Sequence, residues 1–524
     1  MQGDDNKSDD GYRDARGRQR PAVRRRSDDD RQDNGGPGAG RRGGRSTQRP
    51  SDRRRSGDPA RFVAWQVTRD VAEGAYANLI LPKLLREHDL HGRDAGFATE
   101  LTYGAIRMRG LYDPIIERAA GRPVAKIDPP VLDTLRLGVH QLLGMRVPAH
   151  AAASETVALA REVNGAGAAG FVNAVLRRVS ERTREDWITE VTTGEGPLER
   201  LSVEHSHPLW AVRAMRAALL ERGTATEADI EEQLLALLRA DNAAPLVSLV
   251  ARPGLASVQE LVDAGAKPSH LSRVGAVLDG GDPASIEAVR RMRAAVQDEG
   301  SQLLTLALAQ PDLVTLRTHE EWLDLCAGPG GKTALLANLA AEQGATVFAN
   351  EVSEHRTTLV RQSLRATLEA GIEVMIGTGD GRDLGKEEPD TYERVLADVP
   401  CTGLGALRRR PEARWRRTPS DVAPLVALQR ELLESAIAAT RPGGVVGYST
   451  CSPHLAETSQ LVASVVADNA VVLEDARPLF RDAAGAPIPD LGNGPDVQLW
   501  PHIHGTDAMY FALLRKADPP RLTS

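Results

Sequence analysis

The sequence predicts two folded regions of different class, an all-α N-terminal bundle followed by an α/β domain with a mostly parallel sheet. Three observations carry this. Apolar residues recur at helical intervals from Arg61 to about Ser180. From about residue 300, short apolar runs alternate with helical stretches, the pattern of strands covered by helices on both faces. The chain has 524 residues, 41% hydrophobic and 26% charged, which is ample for several buried cores.

In chain order, residues 1–58 come first, as mixed blocks of Arg, Asp and Gly (RRRSDDDRQDNGGPGAGRRGGR) with almost nothing to bury. A disordered, solvated tail is expected, able at most to make sequence-blind contacts with RNA. Next, Phe62, Val63, Val67 and Val71 fall at helical spacing, as do Phe97, Leu101 and Ile106. Val131, Leu132, Leu135, Val139, Leu142 and Leu143 mark a buried helix. Pro129 and Pro130 stand at its start, where a missing amide donor costs least. FVNAVLRRV (Phe171–Val179) closes the bundle and sets Arg177 and Arg178 beside apolar positions, as either a solvated face or an RNA contact. Residues 186–295 read as a connecting subdomain with one strand-like run, Leu246–Val250. Strands are then predicted at Glu321–Leu325, Thr346–Asn350, Glu373–Gly377, Arg394–Asp398, Gly444–Ser449 and Ala508–Leu514. Helices are predicted between them at Arg356–Leu368 and Leu425–Ala439.

Composition excludes several classes. Nothing approaches the ~20 apolar residues of a membrane-spanning helix. MQGDDNKSDD has no apolar core for a signal peptide, so a cytoplasmic protein is expected. Cys326, Cys401 and Cys451 stand far apart, which argues against a disulfide framework or a zinc site and suits a reducing compartment. The net charge of −7 divides into +5 over residues 1–58 and −12 over the rest. Local patches set the field near a groove, so a nucleic-acid partner stays open.

The chemistry-bearing motifs fall at strand ends, where ligands of such sheets bind. DLCAGPGGKT (Asp324–Thr333) is a glycine loop between a strand and a helix, so backbone amides can approach a ligand closely. A phosphate-binding P-loop would need glycine at position 326, which is Cys326. Glu351 ends the next strand, placed for the hydroxyls of a ribose, and Asp380 ends the third, placed for an adenine amino group. The loop is not G-x-G-x-x-G, so S-adenosylmethionine fits better than NAD. The fourth and fifth strands end in DVPCTG (Asp398–Gly403) and STCS (Ser449–Ser452), and adjacent strand ends can bring Cys401 and Cys451 to one cleft. A thiolate beside a methyl donor has a definite use. Pyrimidine C5 is a poor nucleophile until a thiolate adds to C6 and makes it enamine-like. Asp398 is placed to contact the N3 side of such a base.

DLCAGPGGKT, DVPCTG and STCS resemble, in this order, the motifs of the Sun/Fmu (RsmB-type) RNA cytosine-C5 methyltransferases. TELTYGAIRMRGLYD, RLGVHQLL and GFVNAVLRRV are similar to the NusB-like RNA-binding domain of the ribosomal RNA subgroup, and VQDEGSQL to the entry of its catalytic part. The resemblance spans about residues 60–515. It implies a tail (1–58), a NusB-like domain (59–185), a connector (186–295), a Rossmann-like methyltransferase domain (296–516) and a short tail (517–524). It implies that Cys326, Ala327, Gly328, Pro329, Gly330, Gly331 and Lys332, with Glu351, Asp380 and Asp398, hold S-adenosylmethionine. It further implies Cys451 as nucleophile and Cys401 in product release; the basic residues Arg177, Arg178, Arg408, Arg409 and Arg410 are themselves expected as RNA contacts. Arg414, Arg416 and Arg417 extend that run as a phosphate-binding lip or a solvated face. The sequence departs from the family in having Glu351 where Asp is commoner, and DVPCTG for DAPCSG. The implied activity is C5 methylation of a cytosine in 16S ribosomal RNA by a monomer that needs no metal. Transfer RNA methylation and a non-catalytic RNA-binding role are the alternatives.

Overall fold

The structure is a computed structural model that describes residues 57–314 and 317–518. The tails expected over residues 1–58 and 517–524 lie outside the described residues, apart from two residues of each. Seven helices open the described chain: α1 (Pro59–Ala72), α2 (Ala77–Glu87), α3 (Gly92–Arg107), α4 (Arg109–Ala120), α5 (Pro129–Leu143), α6 (Ala149–Val163) and α7 (Ala166–Val179). Proline begins α1 and α5, and Asp58 caps α1 by accepting the Ala60 amide. Val63 and Val67, Leu111 and Ile115, Leu135 and Val139, and Val172 and Leu176 are buried at one-turn spacing. Each such side chain contributes about 1.5–3 kcal/mol.

The connector holds more sheet than the sequence predicts. After helices at Arg184–Val191, Pro197–Glu204, Leu209–Glu221 and Ile230–Asn242, the strands β1 (Val247–Ala251), β2 (Lys267–Pro268), β3 (Gly275–Leu278) and β4 (Ala294–Val296) pair antiparallel in the order β2-β3-β1-β4. The predicted run at Leu246–Val250 is β1, one residue later. Its partners are too short for alternation to register. The apolar faces of the Leu209–Glu221 and Ile230–Asn242 helices share a core with Leu404, Leu407 and Trp500, so the connector is packed onto the C-terminal region.

The second sheet comprises β5 (Glu321–Asp324), β6 (Thr346–Glu351), β7 (Val374–Thr378), β8 (Tyr392–Asp398), β9 (Thr440–Thr450), β10 (Val471–Glu474), β11 (Val497–Gln498) and β12 (Tyr510–Lys516). Its order is β10-β12-β9-β8-β5-β6-β7, with β11 paired to β12. β5 to β9 run parallel, and β12 joins β9 antiparallel. All six predicted strands are present with ends shifted by a few residues. β10, at the sheet edge, and the two-residue β11 were not predicted. The helix predicted over Arg356–Leu368 breaks at Leu364 into Glu354–Ser363 and Arg365–Glu369. The chain steps outward from β5 to β6 and β7, then returns to β8 on the other side of β5. That reversal opens a crevice at the carboxyl ends of β5 and β8.

Candidate active site

The crevice is a cleft of about 600 Å³ lined by the ends of β5, β6 and β8, by the segment after β9, and by the loop that follows Cys401. Its floor is the glycine loop. Asp324, at the end of β5, is buried and accepts a hydrogen bond from Thr333 Oγ1 at 2.7 Å, which pins the Gly331–Glu342 helix to the strand. Burial pushes Asp324 up to about 7. Glu351 is buried at the end of β6; its Oε2 accepts the Gly328 amide at 3.0 Å and its Oε1 the Ser353 amide at 3.1 Å. Arg356 closes the loop from outside, donating to Gly328 O at 2.7 Å. Position 328 needs glycine, because a Cβ there would collide with the Glu351 carboxylate. Gly330 turns the chain into the helix at φ 101°, in the left-handed region. The result is a cradle with open amides on one side and a carboxylate on the other, a donor and acceptor set that fits the amino-acid and ribose parts of S-adenosylmethionine. Asp380 also lines the cleft, but its carboxylate caps the Gly381–Glu387 helix and pairs with Arg382 at 2.6 Å. An adenine amino group would have to share that acceptor with Arg382.

The cysteines converge through register. Asp398 on β8 lies beside Ser449 on β9, and Cys401 and Cys451 follow a few residues on. Their sulfurs are 3.4 Å apart. The two sulfurs share a hydrogen bond. That bond brings the Cys451 thiol below its ordinary value against burial and the Asp398 carboxylate, with a smaller contribution from the Lys332 ammonium. The same bond, with burial, holds Cys401 well above its own. Cys326 is also pushed up, by burial and then by Asp324 and Asp398. Of the three cysteines, only Cys451 is biased towards thiolate. Asp398 Oδ2 pairs with Lys332 Nζ at 2.8 Å, and its Oδ1 accepts from Ser449 Oγ at 3.0 Å. Burial pulls Lys332 down, but the Asp398 carboxylate more than offsets this and leaves it above the ordinary lysine value.

Sequence reasoning missed one residue of this constellation. Glu457 is fully buried and ties both cysteine segments together. It accepts from the Thr402 amide at 2.8 Å, Thr402 Oγ1 at 2.5 Å and Ser452 Oγ at 2.6 Å. Gln429 completes the clamp, donating to Glu457 at 3.0 Å and to Pro400 O at 2.8 Å. Nothing in its spacing sets Glu457 apart from a surface glutamate.

The arginines separate into different roles. Arg414 is a correction: it is fully buried and donates to Arg107 O, Ser206 O, Asp241 O and Asn242 Oδ1, so it cannot form a phosphate-binding lip. Arg408 donates to Gly505 O at 2.7 Å, and Arg409 pairs with Asp507. Arg409, Arg410, Arg416 and Arg417 line the cleft, and Arg410 is exposed. Arg177 and Arg178 are exposed on α7, outside the cleft lining, and Arg178 donates to Ala119 O at 2.8 Å. Among the described residues no group of His, Cys, Asp and Glu is arranged to hold a metal ion, and no helix is long and apolar enough to cross a membrane.

Residues 312–515 match the family model for 16S rRNA methyltransferase RsmB/F, and residues 58–181 match the NusB family. The Mycobacterium tuberculosis protein Rv1407, named as a methyltransferase, is 50% identical over 465 residues, covering 88% of this chain and 97% of that one. Ribosomal RNA small subunit methyltransferase B of Pseudomonas putida is 30% identical over 452 residues, covering 84% and 94%. The crystal structure of PH0851 shares the fold, with a TM-score of 0.71 at 22% identity over 88% of this chain and 99% of that one. The similarity runs along nearly the whole length of these relatives, and the chain belongs to the RsmB/F family of 16S rRNA methyltransferases, with a NusB-family domain ahead of the methyltransferase domain.

Proposed function

We propose that the protein methylates C5 of a cytosine in small-subunit ribosomal RNA through a covalent bond between Cys451 and C6. The observation that carries this reading is the cysteine pair, with its 3.4 Å separation and only Cys451 biased towards thiolate. When bound, S-adenosylmethionine supplies an electrophilic methyl group; the glycine loop, Glu351 and Asp380 hold it. The Cys451 thiolate adds to C6 and raises the electron density at C5, which takes the methyl group as the donor's sulfur–methyl bond breaks and its sulfur leaves as a neutral thioether. Asp398, held by Lys332 and Ser449, contacts the N3 and N4 edge; in its acid form it donates a proton to N3 as the sulfur adds, which offsets the negative charge that develops on the ring. Release follows: Cys401, no longer hydrogen-bonded to a Cys451 thiolate, takes the C5 proton as base, that electron pair re-forms the C5–C6 double bond and the Cys451 sulfur departs as thiolate. The target base must leave its stack to reach Cys451, which is easiest in unpaired RNA.

The test uses Cys451→Ala and Cys401→Ala with unmodified ribosomal RNA and labelled methyl donor. Cys451→Ala should neither methylate nor cross-link. Cys401→Ala should transfer the methyl group and remain bonded to the RNA as a band that survives denaturing electrophoresis. A trapped adduct in Cys451→Ala instead would exchange the two roles. Activity retained in both variants without any adduct would end the covalent reading. Label in transfer RNA alone would move the substrate.

A further inference from the structure

The helical N-terminal region contributes one side chain to the cleft. Tyr76, at the N-cap of α2 just after the turn from α1, lines the same cavity as Cys451, Lys332 and Asp398. The residue is 45% exposed, although aromatic residues are only 4% of the chain. Two guanidinium groups lie against it, Arg416 at 4.7 Å and Arg410 at 5.6 Å from the ring centroid. Arg416 also donates to Val71 O and Ala75 O, so the turn carrying Tyr76 is tied to the segment that follows Cys401. Arg417 continues the rim. A half-exposed aromatic side chain among cations, at the mouth of a cleft, offers what an unpaired nucleotide needs: a π surface for the base and positive charge for its phosphates.

The geometry points to Tyr76 as the platform on which the nucleotide beside the target cytosine stacks, with Arg410 and Arg417 facing the flanking phosphates. This rests on the RNA substrate proposed above. When the cytosine swings out towards Cys451, its neighbour loses a stacking partner, and Tyr76 replaces it. The helical region then takes part in presenting the base and is more than a separate RNA handle. Tyr76 is a positioning residue; it has no place in the bond-making steps.

The experiment measures kcat and KM for an unmodified small-subunit ribosomal RNA transcript with wild type, Tyr76→Ala, Tyr76→Phe and Tyr76→Trp. Donor affinity by calorimetry and melting temperature accompany each variant. Tyr76→Ala should raise KM for RNA about tenfold, the loss of one stacked base, with donor affinity and melting temperature unchanged. Tyr76→Phe and Tyr76→Trp should stay near wild type, because each keeps an aromatic face. An unchanged KM in Tyr76→Ala overturns the inference alone. So does a loss in Tyr76→Phe and Tyr76→Trp as large as in Tyr76→Ala, a comparison that holds even if the alanine variant folds poorly. A wild-type protein that labels no RNA overturns the substrate reading as well.

Discussion

Three cysteines on one sheet have three different acidities, and the environment of each explains why. Desolvation and nearby carboxylates raise Cys326, the hydrogen bond between the sulfurs raises Cys401, and the same bond lowers Cys451 with an ammonium nearby. The asymmetry makes a sharp prediction at this scale. Cys451 is thiolate above its lowered value and thiol below it, so its alkylation rate rises with pH through that value. Cys401→Ala removes the hydrogen bond that lowers Cys451, so the rise should move to higher pH and alkylation at neutral pH should slow. Iodoacetamide labelling of the Cys451 peptide, followed by mass spectrometry across pH, checks this. A profile that stays in place or moves to lower pH would show that Cys401 does not tune Cys451.

At the scale of elements, the site is an assembly of strand ends, and what aligns them is the buried Glu457. Its carboxylate satisfies donors from the segment after β8 and the segment after β9 together, so it sets the spacing of the two sulfurs. Glu457→Ala would leave Thr402, Ser452 and Gln429 without their acceptor and let the segments drift. A misplacement near 1 Å is expected to lower kcat roughly 100-fold. Donor affinity should hold, because the glycine loop is anchored separately by Asp324 and Glu351. Single-turnover methylation beside calorimetry separates the two, and a variant of normal kcat would remove Glu457 from the account. The strands themselves were legible in the sequence because each is a short apolar run ended by a glycine, proline or acidic signal. β2, β3 and β4 were not, since strands of two to four residues depend on their partners more than on their own pattern.

Across the whole molecule, Arg414 joins three regions. It sits in the segment after Cys401 and reaches the end of α3, the turn before the Leu209–Glu221 helix and the end of the Ile230–Asn242 helix. Arg414→Met keeps much of the volume but strips four acceptors of their donor, and on the order of 3 kcal/mol of stability should go with it. The loss should fall on the union of the regions: thermal melting moves down, and limited proteolysis cuts between the NusB-family domain and the rest. A variant that melts and resists protease like wild type would show that the apolar core around Leu404, Leu407 and Trp500 holds the regions together without it.

The sequence alone determined the order of helical bundle and parallel sheet, the glycine loop and the pair of cysteines at adjacent strand ends. These are local properties: periodicity over a few turns, and residue types at fixed spacing from a strand end. Only the tertiary structure decided which cysteine is biased towards thiolate, that Glu457 clamps them, that Arg414 is interior while Arg410 is open, and that Tyr76 stands in the cleft. Each of these depends on groups far apart in the chain, Arg414 on Arg107 and Tyr76 on Arg416. The same arginine run reads as one basic stretch until the fold buries one member, pairs another with a carboxylate and leaves a third beside an aromatic ring.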